Sequence, residues 1–165
     1  MSSYQVGYLV GSLSRRSINR TLARALVRLA PPSLAMVEIP IGELPLYNRD
    51  FDEDYPPAGR ALKNAIDWAS RPWGTNSFAR KPSAVIGAST GKIGTAVAQQ
   101  NLRSILSFCN SPQMNAPEAY VQLTPGLVTE DGEVTDETTE QFLRDFMVAF
   151  EGFITRVLTV LPRTT

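Results

Sequence analysis

Residues 4 to 26 read YQVGYLVGSLSRRSINRTLARAL: an apolar run stops at Gly11-Ser12, a hydroxyl- and arginine-rich loop follows, and a helix pattern begins at once. An apolar run of this kind reads as a buried strand, and a strand that feeds a helix through so short a loop is a strong constraint on topology. The helix pattern, residues 17 to 30, places Ile18, Leu22, Ala25, Leu26 and Leu29 on one face, and Pro31-Pro32 stops it.

The alternation continues to the end of the chain. A second strand is expected at 34 to 39 (LAMVEI), a helix at 58 to 70, a third strand at 83 to 88 (SAVIGA) and a helix at 94 to 109 with Ala98, Leu102, Ile105 and Leu106 inward. A fourth strand follows at 118 to 124, and a closing helix at 136 to 161 has Asp136 as its N-cap. Strand-helix alternation of this kind predicts an α/β domain with a mostly parallel sheet. With 165 residues and 43% hydrophobic content, one domain spanning 1–165 is expected.

Composition then narrows the function. Sixteen Lys and Arg balance sixteen Asp and Glu, which argues against a broad nucleic-acid footprint or a polybasic membrane anchor. No run approaches 18 apolar residues and no leader pattern opens the chain, so no membrane partner and no processing are expected. The chain has no histidine, which removes the Ser-His-Asp triad, Cys-His nucleophiles and His-ligated metals. Chemistry here would be borrowed from a cofactor. Cys109 is the single cysteine and sits in an apolar run, as a packing residue does, and a reducing cytoplasm suits it. Phe142, Phe146, Phe150 and Phe153 read as a core stripe, Trp68 and Trp73 as core or rim packing, and Asp50, Asp52, Glu53 and Asp54 as a solvated acidic loop.

In parallel α/β sheets ligands sit beyond the carboxyl ends of the strands, and two loops lie there, 11 to 19 and 88 to 95. The first suits a phosphate, because helix N-terminal N–H groups point at it while Ser12, Ser14, Ser17 and Asn19 add donors and Arg15 or Arg16 adds charge. Gly11 is its only glycine, so the pyrophosphate fingerprint GxGxxG is absent and one monophosphate fits better than two linked ones. Ser17 as a plain N-cap, with the arginines in solvent, is the competing reading. The second loop, GASTGKIGT, fails as a nucleotide-hydrolysing P-loop: Gly87 and Gly91 are one residue too close, and Ile93 stands where a Mg²⁺-binding hydroxyl is needed. Its glycines and Ser89 suit close passage along a flat ligand, or simply a glycine-rich turn.

These stretches, GSLSRRSINRTLARAL, LPLYNRDFD, LKNAIDWASRP, KPSAVIGASTGKIGTAVAQQNLRSIL, NAPEAYVQ and GEVTDETT, together resemble the NAD(P)H-dependent FMN reductase family, which includes quinone, chromate and azo-dye reductases. The resemblance implies a flavodoxin-like doubly wound parallel sheet, FMN and NAD(P)H as cofactors, and a small-molecule electron acceptor. It further implies a homodimer or homotetramer. It assigns the FMN phosphate to Ser12, Ser17 and Asn19, within a stretch that also holds Ser14 and Ile18. Arg15 supplies the charge, since the family's frequent arginine is Ser14 here. It sets Ser89 and Gly91 beside the flavin ring. No catalytic side chain and no metal ligand is implied.

The chain departs from the family at one place. FDEDYPPAGRA runs directly into LKNAIDWASRP, where the family has a further helix, a central strand and a Pro-Glu-Tyr-Asn loop against the flavin ring. By usual element lengths about 25 residues are missing. Four strands in the order 2-1-3-4, with the first and third paired directly, are therefore expected in place of five. The "YN" at Tyr47-Asn48 belongs to a different family stretch and does not replace the lost loop. Three readings follow: a working flavin reductase, a binding or interaction protein without tight flavin binding, or an internally deleted, inactive form.

Overall fold

The computed structural model describes residues 3–42, 57–71 and 76–161, with side-chain surroundings described from residue 62 onward in the second of these segments. Trp73, Tyr47-Asn48 and the acidic cluster at 50 to 54 lie outside the described residues.

The elements follow the expected order: β1 (Tyr4–Tyr8), α1 (Ile18–Leu29), β2 (Leu34–Glu38), α2 (Pro57–Ala69), β3 (Gly87–Ser89), α3 (Ala96–Phe108), β4 (Tyr120–Gln122) and α4 (Glu137–Val160). Strand alternation sends successive side chains of β1 to opposite sides. Tyr4 and Val6 join the main core with α1 and α4, while Leu9 packs with Leu62 of α2 and with Ile41 in a smaller cluster. Helices therefore lie on both faces of the strands.

The main core gathers Leu22, Ala25, Leu26 and Leu29 of α1 with Leu143, Phe146, Met147, Phe150 and Ile154 of α4. Each fully buried Leu or Phe contributes about 1.5–3 kcal/mol, and Leu22, Leu143 and Phe146 are among the most deeply enclosed. Ser17 and Asp136 cap α1 and α4, their side-chain oxygens accepting from the main-chain N–H of Arg20 and Thr139. Hydrogen bonds from Thr139 hold the Asp136 carboxyl below its usual range. Cys109 is buried; burial, then the nearby Asp67 charge, pushes its thiol up, as fits a packing residue.

The strand pairing differs from expectation. β1 pairs with β2 in parallel, Tyr4 opposite Leu34 through Tyr8 opposite Glu38, and β3 pairs with β4 in parallel, Gly87 opposite Tyr120 through Ser89 opposite Gln122. Among the described residues these are two separate two-stranded sheets, and β1 does not pair directly with β3. Asn19 of α1 instead bonds to the main chain of Ala88 in β3, and α1 packs against β3. The sequence also overstates strand length. Only Gly87–Ser89 of the apolar run 83 to 88 and its continuation forms a ladder, with Ser83 and Gln113 making an isolated bridge upstream, because the partner segment takes a longer path from 113 to 120.

Two helix faces are corrected as well. On α3 the buried residues are Gln99, Arg103 and Leu106, while Ala98 and Ile105 are exposed and Leu102 is half-buried. The polar side chains are inside because the segment 110 to 119 has few regular partners: Gln99 donates to the Ala119 carbonyl at 2.8 Å and Arg103 to the Met114 carbonyl at 3.0 Å. On α4, Phe146 and Phe150 are buried and Phe153 packs against the core, but Phe142 is exposed. Trp68 is 46% exposed, on the rim and not in the core.

Candidate flavin site

The loop after β1 runs from Gly11 to the N-cap of α1. Ser17 is buried, its N–H donates to the Ser14 carbonyl at 3.2 Å, and its Oγ accepts from the Arg20 N–H at 3.2 Å. Arg20 and Thr21 N–H groups both reach the Ser17 carbonyl, so the N–H groups of Ile18 and Asn19 are the ones that face outward at the helix start. Around that end, Ser14, Arg15 and Arg16 are exposed and Ser12 is half-exposed. The first turn of α1 contains no acidic residue, and neither Arg15 nor Arg16 forms an ion pair among the described residues. A helix start with outward N–H groups, hydroxyls and guanidinium groups has the donor chemistry that suits an anion.

Arg20, one turn along, is not part of that charge. Its guanidinium pairs with Glu38 of β2 at 2.6 Å, and the Tyr8 hydroxyl donates to the same carboxylate at 3.4 Å. Burial, then the Glu38 charge, pushes the Tyr8 phenol up. The pair turns Arg20 toward β2, away from the loop arginines Arg15 and Arg16.

The loop after β3 is held by three contacts. Ser89 Oγ accepts from the Gly91 N–H at 3.1 Å, the Leu123 N–H donates to the Ser89 carbonyl at 2.9 Å, and the Gln122 side chain donates to the Thr90 carbonyl at 3.2 Å. Gly94 must be glycine: its φ is +56° and a Cβ there would lie 2.9 Å from the Tyr120 carbonyl carbon. Gly91 is different. A Cβ at Gly91 would meet only Ser89 Oγ, at 3.6 Å, which is ordinary contact. The chain itself does not require glycine there, so the open face it leaves is free for a flat group outside the chain.

The structure joins the two loops through Asn19. Its Oδ1 accepts from the Ala88 N–H at 2.8 Å and its Nδ2 donates to the Ala88 carbonyl at 3.2 Å. The Asn19 side chain is thus directed across to β3, and Ser17 caps α1. Ser12, Ser14 and Arg15, with the main chain at Ile18, lie around the start of α1; Ser89 and Gly91 lie in the loop after β3. Gln122 was not legible as a site residue, since a lone Gln at a strand end carries no motif. Ala88 contributes only main-chain atoms, which no side-chain pattern can signal. A shallow recess of about 240 Å³ lined by Arg28, Glu133, Glu140 and Arg144 lies at the other end of α1, away from both loops. Among the described residues no carboxylate or cysteine cluster suits a metal ion, and no helix is long and apolar enough to cross a membrane.

The residues present therefore fit the phosphate end of a flavin mononucleotide and one side of its ring. Comparison with known proteins agrees. Residues 60–125 match the profile of the NADPH-dependent FMN reductase family. A 2-hydroxy-1,4-benzoquinone reductase from Burkholderia sp is 37% identical, with 91% of this chain and 96% of that protein covered. A quinone reductase from Escherichia coli (strain K12) is 35% identical, with 93% and 96% covered. Among solved structures, FerB, a flavoenzyme NAD(P)H:(acceptor) oxidoreductase from Paracoccus denitrificans, superimposes with a TM-score of 0.82 at 38% identity, covering 92% of this chain and 97% of that one. The Burkholderia alignment runs over 175 positions while taking in 91% of a 165-residue chain, so it contains positions at which this chain has no residue. With its flavodoxin-like architecture, its two strand-end loops and these relatives matched over nearly their whole length, the chain belongs to the NAD(P)H-dependent FMN reductase family.

Proposed function

We propose that this chain is a single-domain, cytoplasmic NAD(P)H-dependent FMN reductase whose electron acceptor is a quinone or a similar small molecule. The observation that carries the reading is the exposed start of α1, with Ser12, Ser14 and Arg15 around it, held beside the Ser89–Gly91 loop by Asn19 and Ala88. When bound there, FMN supplies the redox chemistry, taking hydride from NAD(P)H and delivering electrons to the acceptor. The chain's own part is binding and orientation. The main-chain N–H groups of Ile18 and Asn19, the Ser12 and Ser14 hydroxyls and the Arg15 guanidinium would hold the phosphate dianion. Gly91 and Ser89 border one side of the ring. No side chain is assigned a proton-transfer role.

The same reading includes a homodimer or homotetramer. The outward face of α3 carries Val97 (65% exposed), Ile105 and Phe108 (79% exposed). Arg103, the single charged residue in this helix, is turned inward. A face without charge selects no oppositely charged partner, and it meets its own copy about a two-fold axis without like-charge repulsion. A second copy of this chain is the occupant it fits.

The test is a visible absorption titration of the purified chain with FMN, followed by NADPH under anaerobic conditions. Stoichiometric binding and bleaching on NADPH are expected. A folded chain that takes up no FMN would overturn the reading in favour of a family member that keeps the framework without the chemistry.

A further inference from the structure

Ala88 lies in the middle of β3, which among the described residues pairs with β4 on one edge and with no strand on the other. In a parallel ladder alternate residues direct both their N–H and C=O to the same neighbour. Ser89 bonds to the β4 side, its carbonyl accepting from Leu123. The N–H and C=O of Ala88 consequently point to the opposite edge, where a further strand would pair. The Asn19 carboxamide takes both, at 2.8 and 3.2 Å, and presents one acceptor and one donor as a peptide unit of a neighbouring strand does. The N–H of Ala88 needs an acceptor, so the oxygen of the carboxamide faces it and the orientation is fixed.

We infer that Asn19 is a positioning residue which substitutes for a strand on the open edge of β3 and thereby sets the spacing between the phosphate loop and the ring loop. Asn19 lies in the first turn of α1 and Ala88 immediately precedes the Ser89–Gly91 loop, so the two bonds tie one end of the flavin site directly to the other. The main chain offers no alternative tie, since β1 and β3 are not hydrogen-bonded to each other. The contact also covers the main-chain groups of an edge strand at its central residue. This inference rests on the flavin reading for its functional part, while the contact itself does not.

The test compares the full-length wild type with Asn19→Leu, which keeps the bulk and removes both bonds. Amide hydrogen exchange at Ala88, read by NMR, is expected to speed up at least tenfold in the variant. FMN and riboflavin, which lacks the phosphate, are expected to lose affinity by the same factor, about tenfold for two ordinary hydrogen bonds. A loss confined to FMN would make Asn19 a phosphate ligand and overturn the inference, as would unchanged Ala88 exchange. If wild type binds neither flavin, the flavin reading fails and the positioning role with it, and Ala88 exchange alone then decides the contact. Should Asn19→Leu not fold, Asn19→Asp keeps the acceptor for the Ala88 N–H but sets an oxygen against the carbonyl. It should weaken both flavins equally and move the visible band of bound riboflavin toward that of free flavin. An unmoved band with unchanged affinity overturns the inference.

Discussion

Gln99 and Ala119 are joined across the boundary between α3 and the segment that leads into β4: the Gln99 side-chain amide donates to the Ala119 carbonyl at 2.8 Å, and both residues are buried. The same amide also reaches Thr95 Oγ1 at 2.8 Å. Replacing Gln99 by Leu removes the donor and strands a buried carbonyl, which costs about 1–3 kcal/mol. Urea denaturation of Gln99→Leu should show the midpoint lowered accordingly with an unchanged slope; an equal or higher midpoint would show that Ala119 finds another donor.

Ser12 and Ser17 respond differently to loss of the hydroxyl. Ser12→Ala leaves the fold intact and weakens FMN by a charge-assisted hydrogen bond of about 1.5–3 kcal/mol, roughly 10- to 150-fold. Riboflavin affinity stays at the wild-type value. Ser17→Ala removes the cap on α1 and lowers stability by about 1 kcal/mol. Isothermal titration with both flavins, alongside thermal melts, separates the two; a stability loss in Ser12→Ala with FMN affinity intact would contradict the assignment.

Phe108 stands at the end of the uncharged face of α3. The double variant Val97→Asp with Phe108→Asp puts like charges on both copies where they meet. Sedimentation equilibrium should show the wild-type assembly fall by half or to the monomer, while Phe142→Asp on α4 leaves the mass unchanged. An assembly that survives the double variant places the interface elsewhere.

Tyr8 titrates above an ordinary phenol because of burial and the Glu38 charge. A phenol raised on folding contributes stability that is fully present below its unfolded value and is lost as pH rises through the folded one. Glu38→Gln removes the neighbouring charge, so the tyrosinate absorbance of Tyr8 should appear at lower pH in that variant. The alkaline loss of stability, which begins at the unfolded value in both proteins, should be smaller in the variant. Coincident titration curves for wild type and variant would deny the Glu38 contribution.

Leu143 is completely enclosed between α4 and the rest of the main core. Leu143→Ala should cost about 2–5 kcal/mol through lost burial and the cavity left behind. Denaturant unfolding measures it directly, and a loss below 1 kcal/mol would mean that the core collapses onto the space.

Element order and type were written in the chain. The apolar run before Gly11, Ser17 and Asp136 at helix starts, and Pro31-Pro32 at a helix end act through local rules that need no distant partner, and they placed β1, α1, β2 and α4 within a few residues. The donor-rich start of α1 was legible for the same reason: Ser12, Ser14, Arg15 and Ser17 are adjacent in sequence to the helix they precede.

Tertiary structure decided what depends on residues far apart in the chain. Which strands pair, β1 with β2 and β3 with β4, rests on contacts between distant segments that no local pattern encodes. The inward face of α3 follows where main-chain carbonyls at Met114 and Ala119 need donors, so Gln99 and Arg103 turn in against their own polarity. Asn19 shows the division most sharply. Its sequence neighbours mark it as one more donor around a phosphate, yet Ala88, sixty-nine positions away, presents an unpaired N–H and C=O at carboxamide spacing, and a half-buried amide with that choice bonds to the main chain.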